Sequence, residues 1–316
     1  MPRPDGILPE LALSRAPLDR RGDLRSDPGH LPRLLADLST RVLRLVGDRV
    51  EVEEAADGPR VVLGPPEPRD GDRLSVYLGE LGGTAYVGVV ADDLVEEAGS
   101  AADDAVAADL RTLRQVGAVL DDLGTALFCT LLALGNWHRT HGHCPRCGAR
   151  TEPALSGWTR RCDDDGSEHY PRTDMAVIMA VVDADDRLLL ARGRGFRSAG
   201  MSVLAGFVEP GESLATAVAR EVEEESGVRV SDVQYLGDQP WPFPSSLMIG
   251  FTCRAENTDL HLQAEEIEAA RWFTRSELDE ALADGSLLLP GRVSIARRII
   301  EHWYGARIDA PDVSLR

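Results

Sequence analysis

The chain has 316 residues, of which 43% are hydrophobic and 28% charged, a balance typical of soluble globular proteins with two or three domains. Acidic residues outnumber basic ones by 53 to 34, and the net charge of −19 argues against general electrostatic binding of nucleic acid or anionic lipid. All 34 basic residues are arginines, which excludes Schiff-base chemistry on lysine and the lysine of a P-loop.

The N-terminal segment, residues 1–32, is predicted to be an irregular leader rich in proline, arginine and aspartate. It lacks the apolar stretch of a signal peptide, and no apolar run of the chain approaches the ~18 residues that a membrane span needs. We therefore expect a cytoplasmic protein without a membrane partner.

Residues 33–140 are predicted to form an N-terminal α+β domain that ends in helices. Short strands separated by Gly, Pro and Asp turns are expected between residues 40 and 90. Apolar residues then recur at helical spacing in two runs: Leu110, Leu113, Val116 and Leu120, then Leu127, Leu131, Leu134 and His138. Asp103 and Asp104 suit the start of the first of these helices.

Residues 141–171 contain few aliphatic side chains, too few for a hydrophobic core of their own, so this segment needs a cross-link such as a bound metal ion to fold. Three cysteines here have most of the spacing of a zinc ribbon: Cys144, Cys147 and Cys162. A Cys-x-x-Cys-Gly knuckle lets two thiolates wrap one tetrahedral ion. We expect a structural Zn²⁺ with His169 as its fourth ligand; the alternatives are Asp165 as that ligand, or loss of the metal. The remaining cysteines, Cys129 and Cys253, are predicted to be core residues.

Residues 172–305 are predicted to form a second α/β domain, followed by a tail at 306–316. Its most informative stretch is a glycine-bounded loop that leads into a helix over 214–226. Ser213 is the predicted N-cap of this helix, and Gly227 is predicted to end it.

Three carboxylates of this helix lie at positions i, i+3 and i+4 and therefore share one patch of its surface: Glu221, Glu224 and Glu225. The simplest interpretation is an acidic face turned to solvent, as we expect for Glu223. However, hard oxygen ligands in this arrangement suit Mg²⁺ or Mn²⁺, especially where a phosphate fills the remaining positions. Arg220 is expected to pair with Glu212 and hold the loop on the helix.

Residues 206–228 resemble the Nudix box at all of its defining positions: Gly, five residues, Glu, seven residues, Arg-Glu, an aliphatic, any residue, Glu-Glu, any residue, Gly, an aliphatic. Nudix enzymes split a diphosphate linked to another moiety with divalent cations held by this helix. The resemblance implies that Glu221 and Glu225 are the leading ligands of Mg²⁺ or Mn²⁺, with Glu224 beside them. It also implies a ligand in the backbone carbonyl of Ala205 and a metal-bound water as nucleophile. It leaves the catalytic base unassigned.

A second motif, Gln-Pro-Trp-Pro-Phe-Pro-Ser-Ser, occupies residues 239–246. Its alternating prolines exclude a helix and predict a stiff, extended strip that displays Trp241 and Phe243. Such rings could stack on a base or a nicotinamide, or they could cap the core of the domain. The residues alone do not decide between these two roles.

This strip lies downstream of the Nudix box in the chain. In that position it resembles the signature of the NudC-type NADH pyrophosphatases. The resemblance implies that the whole strip lines a dinucleotide pocket: Gln239, Pro240, Trp241, Pro242, Phe243, Pro244, Ser245 and Ser246. It implies ring stacking by Phe207 and Trp241, with stacking residues from two subunits of a homodimer. It also implies a metal ligand in Glu266, a substrate contact by Tyr170 and a backbone contact by Ala296.

Two positions depart from the NudC-type pattern. The residue before the glutamine is usually serine, and here it is Asp238, which could alter the local hydrogen bonding. The fourth cysteine of the ribbon is replaced by Asp165, so the fourth zinc ligand stays open.

Together these features predict an α+β protein: an N-terminal α+β domain, a zinc-ribbon insert and a C-terminal Nudix α/β/α sandwich with a mixed sheet. The implied reaction is hydrolysis of the pyrophosphate of NADH or NAD⁺ to AMP and nicotinamide mononucleotide. Removal of NAD caps from RNA 5′ ends ranks second because the chain is acidic. The alternatives are a Nudix hydrolase of ADP-ribose or another nucleotide diphosphate derivative, and a nucleotide-sensing module without catalysis.

Overall fold

The computed structural model describes residues 8–91 and 109–315, which divide into two compact units. The first unit contains residues 15–173 and 241–245, and the second contains residues 8–14, 174–240 and 246–315. The predicted helix start at Asp103 and Asp104 lies outside the described residues. In the described part of the chain, no helix is long and apolar enough to cross a membrane.

The first unit is built on a mixed sheet. Its elements are a 3-10 turn (Gly22–Leu24), α1 (His30–Ala36), β1 (Arg41–Val46), β2 (Arg49–Ala55), β3 (Gly58–Val61), a second 3-10 turn (Pro68–Asp72), β4 (Leu74–Leu81), β5 (Thr84–Val90) and β6 (Leu110–Thr112). The strand order is β3-β2-β1-β5-β4, with β6 paired to β2. Strands β1 and β5 are parallel and the other pairs antiparallel. The strands predicted between residues 40 and 90 are confirmed.

Two helices follow, α2 (Leu113–Val116) and α3 (Asp122–Thr140). The helix predicted over the first apolar run is confirmed only in part: Leu113 and Val116 lie in α2, whereas Leu110 lies in β6 and pairs with Glu51 of β2. At Leu110, sheet pairing overrides the helical periodicity. The second run forms α3 as predicted, and its Leu131 packs so closely on β5 that a Cβ at Gly88 would lie 2.5 Å from the leucine Cδ1.

The predicted zinc ribbon folds as a small antiparallel sheet in the first unit. It contains β7 (Thr151–Ala154), β8 (Thr159–Cys162) and β9 (Glu168–His169), in that order. Cys144 and Cys147 precede β7 in the chain, and Cys162 is the last residue of β8.

The second unit is a sheet covered by helices. Its elements are β10 (Asp174–Val182), β11 (Leu188–Gly193), β12 (Leu204–Phe207), α4 (Leu214–Ser226), β13 (Val230–Trp241), β14 (Ser246–Ala255), β15 (Ile267–Phe273), α5 (Arg275–Ala283) and α6 (Ile295–Tyr304). The strand order is β13-β14-β10-β11-β15, with β12 paired to β10. Strand β10 is parallel to β14 and antiparallel to β11 and β12, so the sheet is mixed as predicted.

Alternate residues of β10 enter two different cores, because successive side chains of a strand point to opposite faces. One core contains Val177 and Met179 together with Val218 of α4. The other contains Ile178 together with Ile299 of α6. Both faces of the sheet are therefore covered by helices, and the predicted α/β/α sandwich is confirmed.

Segments predicted as an irregular leader and a tail contribute to the second of these cores. Leu8 and Leu11 are buried in it, and the Leu8 N–H donates to the carbonyl of Leu236 at 2.9 Å. In the tail, Ile308 is buried, and its carbonyl accepts a hydrogen bond from Arg297 of α6 at 2.9 Å. Composition alone did not predict this role for either segment.

Candidate active site

The helix of the Nudix box has the predicted boundaries. The Ser213 side chain accepts a hydrogen bond from the Thr216 N–H and so caps the N-terminus of α4. Gly227 ends the helix in a left-handed conformation (φ 73°), which glycine adopts without a steric penalty. The exposed position of Glu223 also agrees with the sequence.

Arg220 connects the loop, the helix and two of the carboxylates. Its Nε and Nη2 donate to the two carboxylate oxygens of Glu212 at 2.8 and 2.9 Å, so the predicted pairing is confirmed. Its Nη1 donates to Glu221 at 2.9 Å and to Glu224 at 3.0 Å, and its Nη2 also donates to the Phe207 carbonyl at 2.9 Å. One guanidinium therefore fixes the loop and offsets part of the repulsion between acidic neighbours.

Glu225 is the buried member of the carboxylate group. Only 6% of the surface of Glu225 is exposed, and its Oε2 has no hydrogen-bond partner. Burial first, and then the nearby charges of Glu221, Glu266 and Glu224, raise the pKa of Glu225 to about 8. Since a buried oxygen without a partner is costly, this group fits a divalent cation that would supply the missing partner.

Glu221 lies against the backbone of β12. A Cβ built on Gly206 would lie 1.9 Å from the Glu221 Cδ and 2.1 Å from its Oε2, so only glycine leaves room for this carboxyl group. Burial raises the pKa of Glu221, and the hydrogen bond from Arg220 opposes that rise. The residue before Gly206 is Ala205, whose carbonyl is the backbone ligand that the resemblance implies.

Glu266 approaches the same carboxylates from a different segment. The turn that precedes it lies against the end of α4, where the Gln263 N–H donates to the Glu225 carbonyl at 3.2 Å. The charge of Glu266 contributes to the raised pKa of both Glu221 and Glu225. The structure therefore gathers the carboxylates that the sequence proposed as ligands of Mg²⁺ or Mn²⁺.

The proline-rich strip divides into a buried anchor and a turn. Gln239 is fully buried, where its Nε2 donates to the Val293 carbonyl at 2.9 Å and its Oε1 accepts from the Leu13 N–H at 3.1 Å. These two hydrogen bonds fix the end of β13, and the implied role of Gln239 in lining a pocket stays a prediction.

Residues 242–245 form the turn between β13 and β14, so the predicted extended strip is wrong beyond Trp241. The two strands are neighbours in one sheet, and the chain has to reverse between them. The Phe243–Pro244 peptide bond is cis. The rings of Trp241 and Phe243 are both partly exposed and meet edge to face, with centroids 4.8 Å apart and planes at 73°.

The other implied substrate contacts occupy three kinds of environment. Phe207 is 60% exposed on β12. Ala296 is buried in the first turn of α6, and its N–H donates to the Ser294 hydroxyl at 3.2 Å. Tyr170, in the first unit, is exposed, and its hydroxyl donates to Glu168 at 3.1 Å. The substituted position, Asp238, accepts a hydrogen bond from the Tyr235 hydroxyl.

The ribbon cysteines meet a carboxylate. The ligand atoms of Cys144, Cys147, Cys162 and Asp165 all lie within 4.8 Å of one another, and across the described residues no other such group of acidic, His or Cys side chains is this tight. Three thiolates and a carboxylate oxygen are a donor set that tetrahedral Zn²⁺ accepts.

His169 is not a member of this cluster. Its Nε2 lies 3.1 Å from the Ser167 hydroxyl, which donates to Asp165. Hydrogen bonds from the side chain and backbone of Ser167 lower the pKa of Asp165 to about 2, so the carboxylate is ionised. The structure thus favours Asp165, the alternative left open by the sequence, over His169, which β9 holds in register with Arg160 of β8.

Residues 172–290 match the family model described as NUDIX domain, and residues 139–170 match that of the NADH pyrophosphatase zinc ribbon domain. A protein named NAD-capped RNA hydrolase NudC from Mycobacterium bovis is 41% identical over 313 residues, which covers 92% of this chain and 94% of the relative. The chain belongs to the NudC family of Nudix hydrolases. Human NAD-capped RNA hydrolase NUDT12 is 42% identical over 179 residues, 53% of this chain and 39% of its own. A NUDIX hydrolase structure from Nitrosomonas europaea covers 52% of this chain and 93% of its own, with 21% identity and a TM-score of 0.41.

In this NudC-family chain, sequence reasoning missed two supporting residues. The first is Gly206, whose missing side chain makes room for Glu221; the signal was its place at the head of the Nudix box. The second is Ser167, which orients Asp165; nothing in the sequence singled it out, because its role depends on how the ribbon turns fold.

Proposed function

We propose that this NudC-family chain hydrolyses the pyrophosphate bond of NADH or NAD⁺ to AMP and nicotinamide mononucleotide. The observation that carries the proposal is the unpartnered, buried oxygen of Glu225 among three further carboxylates. The proline-rich strip and the names of relatives that align with nearly the whole chain support the choice of substrate.

Glu221, Glu225, Glu266 and the Ala205 carbonyl would hold Mg²⁺ or Mn²⁺, with Glu224 beside them. Bound there, the cation would neutralise phosphate oxygens and lower the pKa of a coordinated water. The protein's own contribution is to hold these carboxylates in place, and Arg220 does so through hydrogen bonds to Glu221 and Glu224.

Recognition of the dinucleotide rests on the aromatic residues. Phe207 and Trp241 would stack on its rings, and the stacking residues would come from two subunits of a homodimer. Their exposure in the described chain leaves them accessible to a ligand. The remaining contacts proposed are Tyr170, Gln239, Pro240, Pro242, Phe243, Pro244, Ser245, Ser246 and Ala296.

A second candidate activity, removal of NAD caps from RNA, is favoured by the name of the relatives in Mycobacterium and human. With a net charge of −19, the chain would recognise the cap itself rather than the RNA backbone. We propose that the chain acts in the cytoplasm, where reducing conditions would keep the ribbon thiols free to bind metal.

For the ribbon we propose a structural Zn²⁺ held by Cys144, Cys147, Cys162 and Asp165. The support is the separation of their ligand atoms and the ionised state of Asp165. In this arrangement His169 supports Asp165 through Ser167 rather than binding the metal.

The test is a product assay with NADH and ADP-ribose in parallel, each with Mg²⁺ or Mn²⁺, resolved by mass spectrometry. We expect AMP and reduced nicotinamide mononucleotide, released faster than ADP-ribose is cleaved. Replacement of Trp241 by Ala should lower kcat/KM for NADH about tenfold more than for ADP-ribose, because Trp241 would stack on the nicotinamide ring, which ADP-ribose lacks. Trp272→Ala in β15 is the control.

Each other outcome has its own meaning. Cleavage of ADP-ribose but not NADH would leave only the general Nudix chemistry. Binding of NADH without cleavage of either compound would favour the nucleotide-sensing alternative.

A further inference from the structure

The turn that carries the aromatic rings belongs to the first unit, although the strands on either side of it belong to the second. Residues 241–245 group with 15–173, in which the sequence assigned the ribbon cysteines and Tyr170 but no catalytic residue. The contacts made by this turn within the first unit therefore indicate a role for that unit.

Asn136 of α3 holds the backbone of the turn. Its Nδ2 donates to the carbonyl of Pro242 at 3.0 Å and to that of Pro244 at 3.1 Å. The two N–H donors of the Asn136 amide thus bind two backbone carbonyls that lie two residues apart in the strip. Prolines cannot donate backbone hydrogen bonds, so an outside donor is well suited to fix this segment.

Arg139 sets the orientation of that amide. Its Nη2 donates to the Asn136 Oδ1 at 2.6 Å, which leaves the Nδ2 group facing the proline carbonyls. Its Nη1 donates to the Gly47 carbonyl at 3.0 Å. The arginine therefore ties the amide to the loop between β1 and β2.

Arg114 of α2 lies over both aromatic rings. Its Cζ is 3.8 Å from the ring centroid of Phe243 and 4.8 Å from that of Trp241. A guanidinium at these distances attracts both π-systems and restricts their rotation. Its own position is fixed by a capping box, in which Thr112 N–H donates to the Gln115 side chain at 2.8 Å.

We infer that Arg114 and Asn136 are positioning residues that set the selectivity of the enzyme for its dinucleotide substrate. This inference rests on the proposed function, in which Trp241 stacks on a ring of NADH. In this scheme Arg114 and Asn136 hold the Trp241 ring ready for stacking and so lower the ordering cost of binding. The first unit thereby acts as a scaffold for substrate choice.

A purely structural role makes a different prediction. If Arg114 and Asn136 only stabilised the turn, their loss would lower the melting temperature and reduce activity on every substrate alike. If they position Trp241, their loss should raise KM for NADH and leave both kcat and the hydrolysis of ADP-ribose nearly unchanged.

The experiment measures kcat and KM for NADH and ADP-ribose in Arg114→Ala and Asn136→Ala. We expect KM for NADH to rise three- to tenfold in each, corresponding to the loss of one cation–π contact or one pair of hydrogen bonds. Arg114→Lys, which keeps the charge but not the planar group, should show part of the effect. Arg111→Ala is the matched control, since Arg111 is three residues away and pairs with Asp109 and Glu54.

A double variant provides the decisive readout. Adding Arg114→Ala to Trp241→Ala should cost nothing further in kcat/KM for NADH, because the ring that Arg114 holds is already absent. A full additional loss would overturn the inference, as would wild-type KM values in both single variants. If either alanine variant fails to fold, Arg114→Gln and Asn136→Ser replace it in the same comparison.

The proposed function can fail separately. If Trp241→Ala has no selective effect on NADH, the stacking role of the strip is wrong and the inference falls with it. If Trp241→Ala behaves as proposed and the Arg114 and Asn136 variants do not, only the inference is wrong.

Discussion

The two groups of proposed metal ligands differ in how closely their side chains are gathered and in how their oxygens are hydrogen-bonded. In the ribbon, three cysteines and Asp165 already place their ligand atoms within 4.8 Å of one another. In the second unit the carboxylates share a neighbourhood, but two of them are hydrogen-bonded to Arg220 and one oxygen of Glu225 has no partner. We call the ribbon group closed, because its four ligand atoms already lie together, and the carboxylate group open, because one of its oxygens has no partner.

This difference follows from the chemistry of the ligands. Thiols are neutral when protonated and can approach one another at little electrostatic cost, whereas carboxylates repel until a cation compensates their charge. A closed group suits a structural ion, and an open one keeps positions for substrate and water.

The largest effect is expected at the open group. Glu225→Gln keeps the shape of the side chain but removes its charge, and we expect kcat to fall by more than ~100-fold with NADH binding still measurable. Glu223→Gln is the matched control, because it lies on the same helix and is exposed. A Glu225→Gln enzyme with wild-type turnover would show that the carboxylates are only an acidic surface.

A smaller loss should follow from crowding rather than from charge. In Gly206→Ala the new Cβ would lie 1.9 Å from the present Glu221 Cδ, so the carboxyl group has to move while the fold is kept. We expect Mg²⁺ affinity, measured by titration, and activity to fall about 10- to 100-fold. Gly71→Ala, where a Cβ meets nothing within 4 Å, should leave both unchanged.

The closed group is tested by its fourth ligand. Asp165→Ala should lower zinc affinity at least about tenfold, whereas Asp165→Cys should retain the metal more strongly than the natural chain. Zinc content after dialysis against a chelator provides the measurement. His169→Ala should keep its zinc; loss of zinc there, with retention in Asp165→Ala, would restore His169 as the ligand.

How far the sequence predicts the structure depends on whether a feature is local. Helix α4, its caps and the Arg220–Glu212 pair lie within sixteen consecutive residues and follow from spacing and capping preferences. The spacing of the three ribbon cysteines is equally local. The sequence left the fourth ligand open between His169 and Asp165, because their distances from the cysteines depend on how β8 and β9 pair.

Features that join distant parts of the chain could not be predicted in this way. Burial of Gln239 needs Leu13 and Val293, and Asn136 meets prolines more than a hundred residues away. Leu110, the first residue of the first apolar run, lies in a strand because β2 offers it an edge, which no local pattern reveals. The carboxylates were predicted by resemblance, but the position of Glu225 in a buried environment required the fold.

The smallest effect concerns the stability of the metal-free protein. Burial first, and then its acidic neighbours, raise the pKa of Glu225 to about 8, so the folded chain keeps a proton that the unfolded chain releases near pH 4.5. This stabilisation is present in full below about pH 4.5 and is lost as the pH rises towards 8. In buffers freed of divalent cations on a resin, which spares the ribbon zinc, we expect the melting temperature to fall by a few degrees more between pH 5 and 8 than in Glu225→Gln. Saturating Mg²⁺ should remove the difference in slope, because the bound cation favours the ionised carboxylate. Equal slopes for the two metal-free proteins would mean that Glu225 is ionised without a cation and that the second group is less open than its geometry indicates.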